Sequence, residues 1–450
     1  MASLEKSINI YNILNNHCDD YITKKYTFNN VEYMIIKYNR EKLKEYESKD
    51  IEKFNEISKY RSIIVRNNKV VAYSPGKSMN YNIFKNLYQD TEECYIEDFI
   101  DGTMINVFFD VTNNTWEIAT RSTVGGNIVF FNDAKNYKHF NNDNYYKHYH
   151  DATFRSMFFE ACNMNNFNLN TLDRRYTYTF VMQHPLNRIV TPAPMPIIYL
   201  IKIYEITNDL NDITNDVIIK EIDLLKFISM PSYIFLNTNV KFISKYRLTS
   251  YVESENYYNG KDVPYYCVGC MIYHSNGTRT KIRSNNYENV RKLRGNQPKL
   301  QYNYLCLKRE NKVKEFLKYY PEHSVIFNNF KQLSYSYTNE LFINYISCFI
   351  RKEKPLKEYE FQYKNHMYKL HEKFRNELKP SGKTIDKKIV IDYVNNLHPA
   401  QQMFLINYSN YNSIENSNNE NSNNENSIEN SIENSIENSI ENSNNDMEIS

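Results

Sequence analysis

From residue 59 onward, apolar residues alternate with polar ones in short runs that are rich in β-branched and aromatic side chains. A period of two is typical of strands that bury one face in a core. Asparagine pairs at 67–68 and 113–114, and Ser275-Asn276-Gly277, separate some of these runs and predict hairpin turns. The runs that we predict as strands are 61–65, 69–73, 94–100, 104–110, 116–120, 176–182, 197–206, 265–273 and 278–283.

Beyond residue 300 the apolar residues recur every three or four positions, which predicts amphipathic helices. We expect these helices at 308–319, 339–351, 359–378 and 387–397, with an earlier one at 151–163. The predicted fold class is therefore α+β, with a β-rich domain followed by an all-helical C-terminal domain. The expected divisions are a helical or mixed N-terminal extension at 1–58, the β-rich domain at 59–299, the helical domain at 300–408 and a tail at 409–450.

The tail has the composition of a disordered segment. Ser-Ile-Glu-Asn occurs four times in tandem from Ser427, and the repeat is too short and too polar to build a core. Nine of the 53 acidic residues lie in 412–450, which contains no Lys or Arg, so the rest of the chain is basic. A basic body is compatible with a polyanionic partner, for whose surface the tail could compete. The alternative interpretation is an expanded repeat on a mildly basic body.

The composition also bears on the source and the compartment. The chain has 41 Tyr, 25 Phe, one Trp and only 9 Gly, with abundant Asn, Lys and Ile, which indicates an AT-rich coding bias such as that of a large DNA virus or a protist. Seven scattered cysteines suit a reducing compartment. No signal peptide and no apolar run of about 18 residues is evident. We expect an intracellular protein, in the cytoplasm or a viral factory, without membrane contact.

Several short sequence motifs of the β-rich region follow one another in an order that resembles the motif order of a known protein family. They are Arg61, Lys77 within Ser74-Pro75-Gly76-Lys77, Asp101-Gly102, Asn187-Arg188-Ile189-Val190, Val268-Gly269 and Lys281-Ile282-Arg283. In this order they resemble the nucleotidyltransferase domain of the phage-type RNA ligases that repair tRNA. The resemblance covers residues 59–289 and implies a covalent-nucleotidyltransferase fold of the RNA and DNA ligase type.

The resemblance fails at the positions that carry the family's chemistry. In the family, a lysine two residues before the Asp-Gly pair attacks the α-phosphorus of ATP, which requires an unprotonated amine. That position is Phe99 here, and no lysine lies between Lys85 and Lys135. The two carboxylate positions of the family are Val181 and Val268. We therefore predict no catalytic residue and a degenerate viral homologue of the family.

The basic residues of the resemblance are retained. By analogy with the family, the predicted phosphate- and nucleotide-binding residues are Arg61, Lys77, Asp101, Gly102, Arg188, Gly269, Lys281 and Arg283. An arginine at the second position of the Lys-x-Lys element keeps the charge and adds a bidentate fork for phosphate. A site with these cations and no nucleophile is suited to holding a phosphate group.

The predicted function is binding of nucleotide or RNA ends, of tRNA or another RNA, by a protein that has lost lysine adenylylation. One alternative is an active ATP-dependent RNA ligase whose nucleophile lies elsewhere, and another is a purely structural interaction protein. ATP and Mg²⁺ would be cofactors only if activity or nucleotide binding survives. Cys267 and Cys270 have the spacing of half a zinc site, but no second pair follows, so no metal site is predicted.

Overall fold

A computed structural model describes residues 4–15, 18–128, 152–208, 216–229 and 234–415. The described residues form two compact units, one up to Lys292 and the other from Leu293. The first unit is rich in strands and the second is helical, which confirms the predicted α+β class and its order. No helix in the described ranges combines the length and the apolar character needed to cross a membrane.

All strands of the described residues belong to the first unit. They are β1 Glu5–Asn9, β2 Tyr21–Phe28, β3 Val31–Tyr38, β4 Ile63–Arg66, β5 Lys69–Tyr73, β6 Cys94–Asp98, β7 Thr103–Asp110, β8 Thr115–Ala119, β9 Tyr176–Gln183, β10 Ile197–Asn208, β11 Asp216–Glu221, β12 Lys241–Phe242, β13 Lys245–Arg247, β14 Gly269–His274 and β15 Arg279–Arg283.

These strands form three sheets. The largest has the order β1-β11-β10-β9-β7-β8, with antiparallel neighbours, and β12 pairs parallel to β10. The second has the order β13-β6-β14-β15, and the third has the order β2-β3-β4-β5; both are antiparallel. Antiparallel neighbours need only short turns, which agrees with the hairpins expected from the asparagine pairs.

The alternation of the sequence becomes the two faces of each sheet. On β15, Thr280 and Ile282 are buried, whereas the residues between them are only partly buried. The large sheet packs its apolar face against the helix Phe154–Met164, whose Met157 and Phe158 enter the core. A capping box between Thr153 and Ser156 starts that helix.

Helices of the first unit connect and cover these sheets. They are Tyr11–Asn15, Arg40–Lys49, Ile51–Ile57, Tyr81–Leu87, Phe154–Met164, Leu224–Ser229, Tyr251–Tyr258 and Asn285–Arg294. The boundary between the two units falls within the last of them.

The second unit has its own apolar core, which includes Leu341, Met367 and Val390. Its α-helices are Leu300–Arg309, Val313–Tyr319, Ser324–Tyr345, Phe361–Lys373, Lys387–Asn396 and Pro399–Glu415. Two of the α-helices continue into π-helical turns, at Ile346–Arg351 and Phe374–Leu378. The predicted 3.6-residue periodicity is thus confirmed. The helix expected from 339 begins earlier, at Ser324, and the segment expected at 308–319 is divided between two helices, whereas the helices expected from 359 and 387 begin within two residues of those positions.

The expected divisions of the chain differ from the observed ones. Residues 4–58 do not form a separate extension, because β1 lies in the largest sheet while β2 and β3 pair with β4 in the third sheet. The division between the units lies at 292/293 rather than 299/300. The last helix ends at Glu415, and the rest of the predicted tail lies outside the described residues.

Candidate functional site

A small cavity of about 60 Å³ brings together five of the residues that the sequence singles out. It lies between the largest sheet and the β13-β6-β14-β15 sheet. The five residues are Arg61, Lys77, Phe99, Val181 and Lys281. They come from separate segments of the chain, so the order of short motifs seen in the sequence corresponds to one place in the fold.

Phe99 follows the last residue of β6, and only 8% of it is exposed. The Lys281 ammonium lies 5.9 Å from the centre of its ring, and the Arg283 guanidinium carbon lies 5.5 Å from it. Both distances are within the range of a cation–π contact, which contributes about 0.5–1 kcal/mol at exposed sites and more when desolvated. The ring therefore interacts favourably with the two cations.

The basic residues reach the site because of the alternation on β15. Arg279, Lys281 and Arg283 are each two residues apart and share one face of the strand. Glu288 accepts a 2.8 Å hydrogen bond from Arg283, so this guanidinium is shared between the Phe99 ring and a carboxylate. Arg61 is buried just before β4, and the backbone N–H of Lys77 donates to the carbonyl of Ser58 at 2.8 Å.

The two family carboxylate positions are buried and apolar. Val181, on β9 opposite Met104 of β7, lines the cavity and is 2% exposed. Val268 precedes β14 and is 5% exposed, and its carbonyl accepts from the N–H of Ser284. Neither side chain can coordinate a metal ion or accept a hydrogen bond from a ribose hydroxyl.

Asp101 acts as a structural anchor in this fold. Its buried carboxylate accepts hydrogen bonds from the backbone N–H groups of Val190 and Thr191, at 3.0 and 2.8 Å, and from the Tyr287 hydroxyl at 2.7 Å. It thus holds the Asn187-to-Val190 block and the helix that begins at Asn285 against the connection between β6 and β7. Burial, followed by the charge of Asp101, raises the pKa of Tyr287.

Two glycines of the motifs are required by close backbone approach. Gly102 has φ +148°, and a Cβ there would lie 2.4 Å from the Met182 carbonyl oxygen. Gly269 has φ +128°, and a Cβ would lie 1.9 Å from the Ile282 carbonyl oxygen. Any larger residue would separate paired strands at either position, so both glycines serve the fold.

Arg188 contacts its own loop. Its Nε and one terminal nitrogen donate to the Val190 carbonyl oxygen at 3.1 and 3.0 Å. The cavity is lined by five of the predicted positions, whereas Asp101, Gly102, Arg188, Val268, Gly269 and Arg283 are outside its lining. Of these, Arg283 still contacts the Phe99 ring.

A buried ion cluster beside Phe99 was not predicted from the sequence. Lys202 of β10 donates to Glu97 of β6 at 2.9 Å and to Glu221 of β11 at 2.7 Å, and so joins two sheets. Its ammonium also lies 4.4 Å from the Tyr273 ring centre. Burial alone lowers the pKa of Lys202, but Glu221 and Glu97 outweigh it and raise the pKa well above its usual value. The one signal in the sequence is a lone lysine within the apolar run 197–206.

The size and donor set of the cavity restrict its ligands. Its volume of about 60 Å³ is well below the ~300 Å³ at which small-molecule pockets usually begin. Among the described residues, no group of three or more His, Cys, Asp or Glu side chains is arranged to hold a metal ion. The cavity is lined by five cations, Arg61, Lys77, Lys202, Arg279 and Lys281, against the two carboxylates of Glu97 and Asp98, and this excess of positive charge suits a single phosphate group.

Comparisons with known proteins give weak similarities. No family model and no curated protein matches the chain. Among solved structures, a provisionally named ATP-dependent DNA ligase from Aquifex aeolicus is 12% identical with a TM-score of 0.34, over 79% of this chain and 77% of that one. A mutant RNA ligase from Naegleria gruberi in its apo form is 11% identical with a TM-score of 0.29, over 63% of this chain and 82% of that one. Values this low assign the chain to no family.

Proposed function

We propose that this chain is an RNA-ligase-like nucleotidyltransferase homologue that no longer forms lysyl-AMP and that binds the phosphate groups of nucleotides or RNA ends. The observation that carries the proposal is the Phe99 ring at the family's nucleophile position, in contact with Lys281 and Arg283. A benzyl side chain has no lone pair with which to attack phosphorus. The cations that would neutralise a phosphate remain beside it.

The ion cluster next to the cavity does not supply a replacement nucleophile. Lys202 lines the same cavity, but its raised pKa keeps it as an ammonium ion between Glu97 and Glu221. An amine must lose its proton before it can form a phosphoramidate bond. This argues against the alternative in which Lys202 has taken over the attack.

The positive lining favours phosphate as the ligand. Arg61, Lys77 and Lys281 line the cavity, and Arg283 adjoins it through the Phe99 ring. Since the cavity is small, we expect a terminal phosphate to be the group that enters. RNA ends, including those of tRNA, are the partner that the sequence resemblance favours, and ATP with Mg²⁺ would act only as a bound ligand.

Labelled ATP tests the loss of chemistry. The full-length chain is incubated with α-labelled ATP and Mg²⁺ and then separated on a denaturing gel. We expect no labelled protein band, while an active RNA ligase in a parallel lane should become labelled. A covalent adduct on this chain would overturn the proposal and favour an active enzyme.

Binding of 5′-phosphorylated RNA tests the retained function. We expect affinity to fall as salt rises, because cations of the protein replace counterions of the RNA. Lys281→Met should weaken binding by about 10-fold, the usual effect of one charge-assisted hydrogen bond. Lys44→Met, which removes an exposed lysine of the same unit that does not line the cavity, is the control. Equal affinities for the Lys281 and Lys44 variants would refute the proposed site and favour a purely structural role.

A further inference from the structure

A second cavity adjoins the cavity of about 60 Å³ that is lined by Arg61, Lys77, Phe99, Val181 and Lys281, which we call the Phe99 cavity. The second cavity is about five times larger, at about 310 Å³. It is bounded by β1, the end of β5, β10 and the turn between β14 and β15. We call it the β1 cavity, because Lys6 of β1 lines it and does not line the Phe99 cavity. Its volume reaches the range in which pockets take small molecules.

The β1 cavity is lined by more cations than carboxylates. The cations are Lys6, Lys59, Lys77, Lys202 and Arg279, and the carboxylates are Glu5 and Glu221. Glu221 is already paired with Lys202 at 2.7 Å. The remaining positive charge faces a partly enclosed space, where a counter-anion would be held more strongly than in bulk water.

Three polar atoms of the lining residues are buried without a hydrogen-bond partner among the described residues. They are the hydroxyl oxygens of Tyr73 and Tyr204 and the Nε of Arg279. Tyr73 and Tyr204 are each only 1% exposed, and their rings pack edge to face at 5.0 Å. Buried donors without partners are rare in folded proteins and cost about 1–3 kcal/mol each, so an acceptor bound next to them would offset that cost.

The protonation of these groups determines the kind of ligand. Burial raises the pKa values of both tyrosines, although the nearby Arg279 opposes it, so each hydroxyl keeps its proton and can donate. Arginine offers only donors. Hydroxyl donors, a guanidinium and several ammonium groups together fit an acceptor with several oxygens and more than one negative charge.

We propose that the β1 cavity is a second anion site, which binds a multivalent phosphate through Lys6, Lys59 and Arg279 and the hydroxyls of Tyr73 and Tyr204. The ligand is either a free phosphate such as pyrophosphate or the terminal phosphate of an RNA. This site goes beyond the proposed function of the Phe99 cavity. Lys6, Lys59, Tyr73 and Tyr204 do not line the Phe99 cavity, and Lys281 does not line the β1 cavity.

The two cavities share lining residues, among them Lys77 and Arg279, but residues that line only one cavity allow the two sites to be tested independently. Pyrophosphate binding to the full-length chain is measured by titration calorimetry for the wild type and for Lys59→Met, Tyr204→Phe and Lys44→Met, the last of which changes an exposed lysine that lines neither cavity. We expect Lys59→Met and Tyr204→Phe to weaken pyrophosphate binding by about 5- to 10-fold each, and Lys44→Met to leave it unchanged. Conversely, only Lys281→Met should weaken RNA binding at the Phe99 cavity if that proposed function is correct.

Thermal unfolding provides a check on the tyrosine variant. Because Tyr204 carries an unpartnered buried hydroxyl, Tyr204→Phe should leave the melting temperature of the ligand-free protein equal or higher. Addition of pyrophosphate should raise the melting temperature of the wild type more than that of the variant. A lower melting temperature for the ligand-free variant would contradict the absence of a partner and overturn the argument.

Competition identifies the source of the phosphate. Displacement of bound pyrophosphate by a 5′-phosphorylated oligonucleotide, but not by its 5′-hydroxyl counterpart, would support the site and assign it to RNA ends. Displacement by neither would support a site for free phosphate. If pyrophosphate does not bind the wild type, or if Lys59→Met binds it as tightly as Lys44→Met does, the second site is refuted.

Discussion

The guanidinium carbon of Arg283 lies 5.5 Å from the ring centre of Phe99. This contact explains how an apolar residue can occupy a site lined by cations without dispersing them. A lysine at position 99 would bring a third positive charge beside Lys281 and Arg283, whereas the negative face of a ring attracts both. Loss of the nucleophile and retention of the cations are thus physically compatible in one site.

The contacts of Phe99 predict an energetic coupling with Lys281. In a double-mutant cycle of Phe99→Leu and Lys281→Met, we expect a coupling of about 0.5–1 kcal/mol, because each single change removes the same cation–π contact. Urea unfolding followed by the fluorescence of Trp116, the only tryptophan of the chain, measures it. Phe99→Leu with Lys245→Met, whose ammonium lies over Tyr95, is the control cycle and should give no coupling. Equal couplings in both cycles would contradict a direct contact.

The strands around the site could be predicted because their buried and exposed residues alternate. Strand β15 is an example, since Arg279, Lys281 and Arg283 alternate with Thr280 and Ile282. Strand β2 could not be recognised in this way, because its residues are mostly exposed and lack an apolar face. The turn after β2 did carry a signal in the sequence, namely the pair Asn29-Asn30. Both residues have positive φ, a conformation that asparagine tolerates well.

The interactions of the site depend on contacts between distant parts of the chain. Lys202 meets Glu97, which lies 105 residues away, and no local pattern links the two. The same holds for Tyr287, which reaches Asp101 across 186 residues. The sequence could therefore show which residues belong to the motifs, but not that Asp101 serves as an anchor or that Lys202 is held as a buried cation.

The anchoring role of Asp101 predicts a large loss of stability. Asp101→Asn removes the charge and replaces two accepting oxygens by one, so the side chain can no longer accept both from the N–H groups of Val190 and Thr191 and from the Tyr287 hydroxyl. We expect the free energy of unfolding to fall by about 2–3 kcal/mol in a urea titration. Asp173→Asn is the control, because Asp173 is more exposed and its pairing with Arg175 should be worth under about 1 kcal/mol. Similar losses for both variants would argue against the anchor.

The pairing of Lys202 predicts opposite effects of pH on the wild type and on a variant. Lys202→Met leaves Glu97 and Glu221 buried without their cation, which should cost about 3–5 kcal/mol at pH 7. The variant should regain stability as pH falls, because protonation removes the uncompensated charge. In the wild type, burial raises the pKa of Glu221, but the charges of Lys202 and Lys6 lower it by more, so the net shift is downward. The ionised Glu221 therefore stabilises the wild type above the unfolded-state pKa of glutamate, and this stabilisation is lost as the pH falls through the folded-state pKa.

Urea titrations at pH 7.5 and 5.5, again followed by Trp116, distinguish these signs. The stability difference between wild type and Lys202→Met should be smaller at pH 5.5. A difference that stays constant would show that Lys202 stabilises the fold by packing alone.

Lys6 predicts that anion binding in the β1 cavity depends on pH. Burial lowers the pKa of Lys6; the charge of Glu221 opposes this shift, and the charges of Arg279, Lys202 and Lys59 add to it. The resulting pKa is about 8. Below pH 8 the ammonium is charged and attracts an anion, whereas above it each bound anion must also take up a proton. We expect sulfate affinity, measured because sulfate does not titrate in this range, to fall by up to 10-fold per pH unit above 8. Lys6→Met should bind more weakly and lose this slope, and a retained slope would assign it to another group.

The second unit contains a histidine that should make it sensitive to acid. His366 is 1% exposed, its Nδ1 lies 2.7 Å from the Tyr393 hydroxyl, and burial, followed by the charge of Lys369, lowers its pKa from 6.5 to about 4. Below pH 6.5 the unfolded chain takes up a proton on His366 that the folded chain does not. The free energy of unfolding is therefore highest above pH 6.5 and falls as the pH decreases towards 4. The shift corresponds to about 3 kcal/mol.

Circular dichroism at 222 nm during urea unfolding would follow the helices of both units, while Trp116 fluorescence reports on the first unit alone, so a dichroism change that the fluorescence lacks belongs to the helical unit. We expect the dichroism midpoint of the wild type to fall between pH 7 and 5, and His366→Gln to flatten that dependence. His371→Gln, on the same helix but only partly buried, is the matched control and should keep most of the slope. If His366→Gln retains the full acid sensitivity, as we expect of His371→Gln, then buried His366 is not the source of that sensitivity.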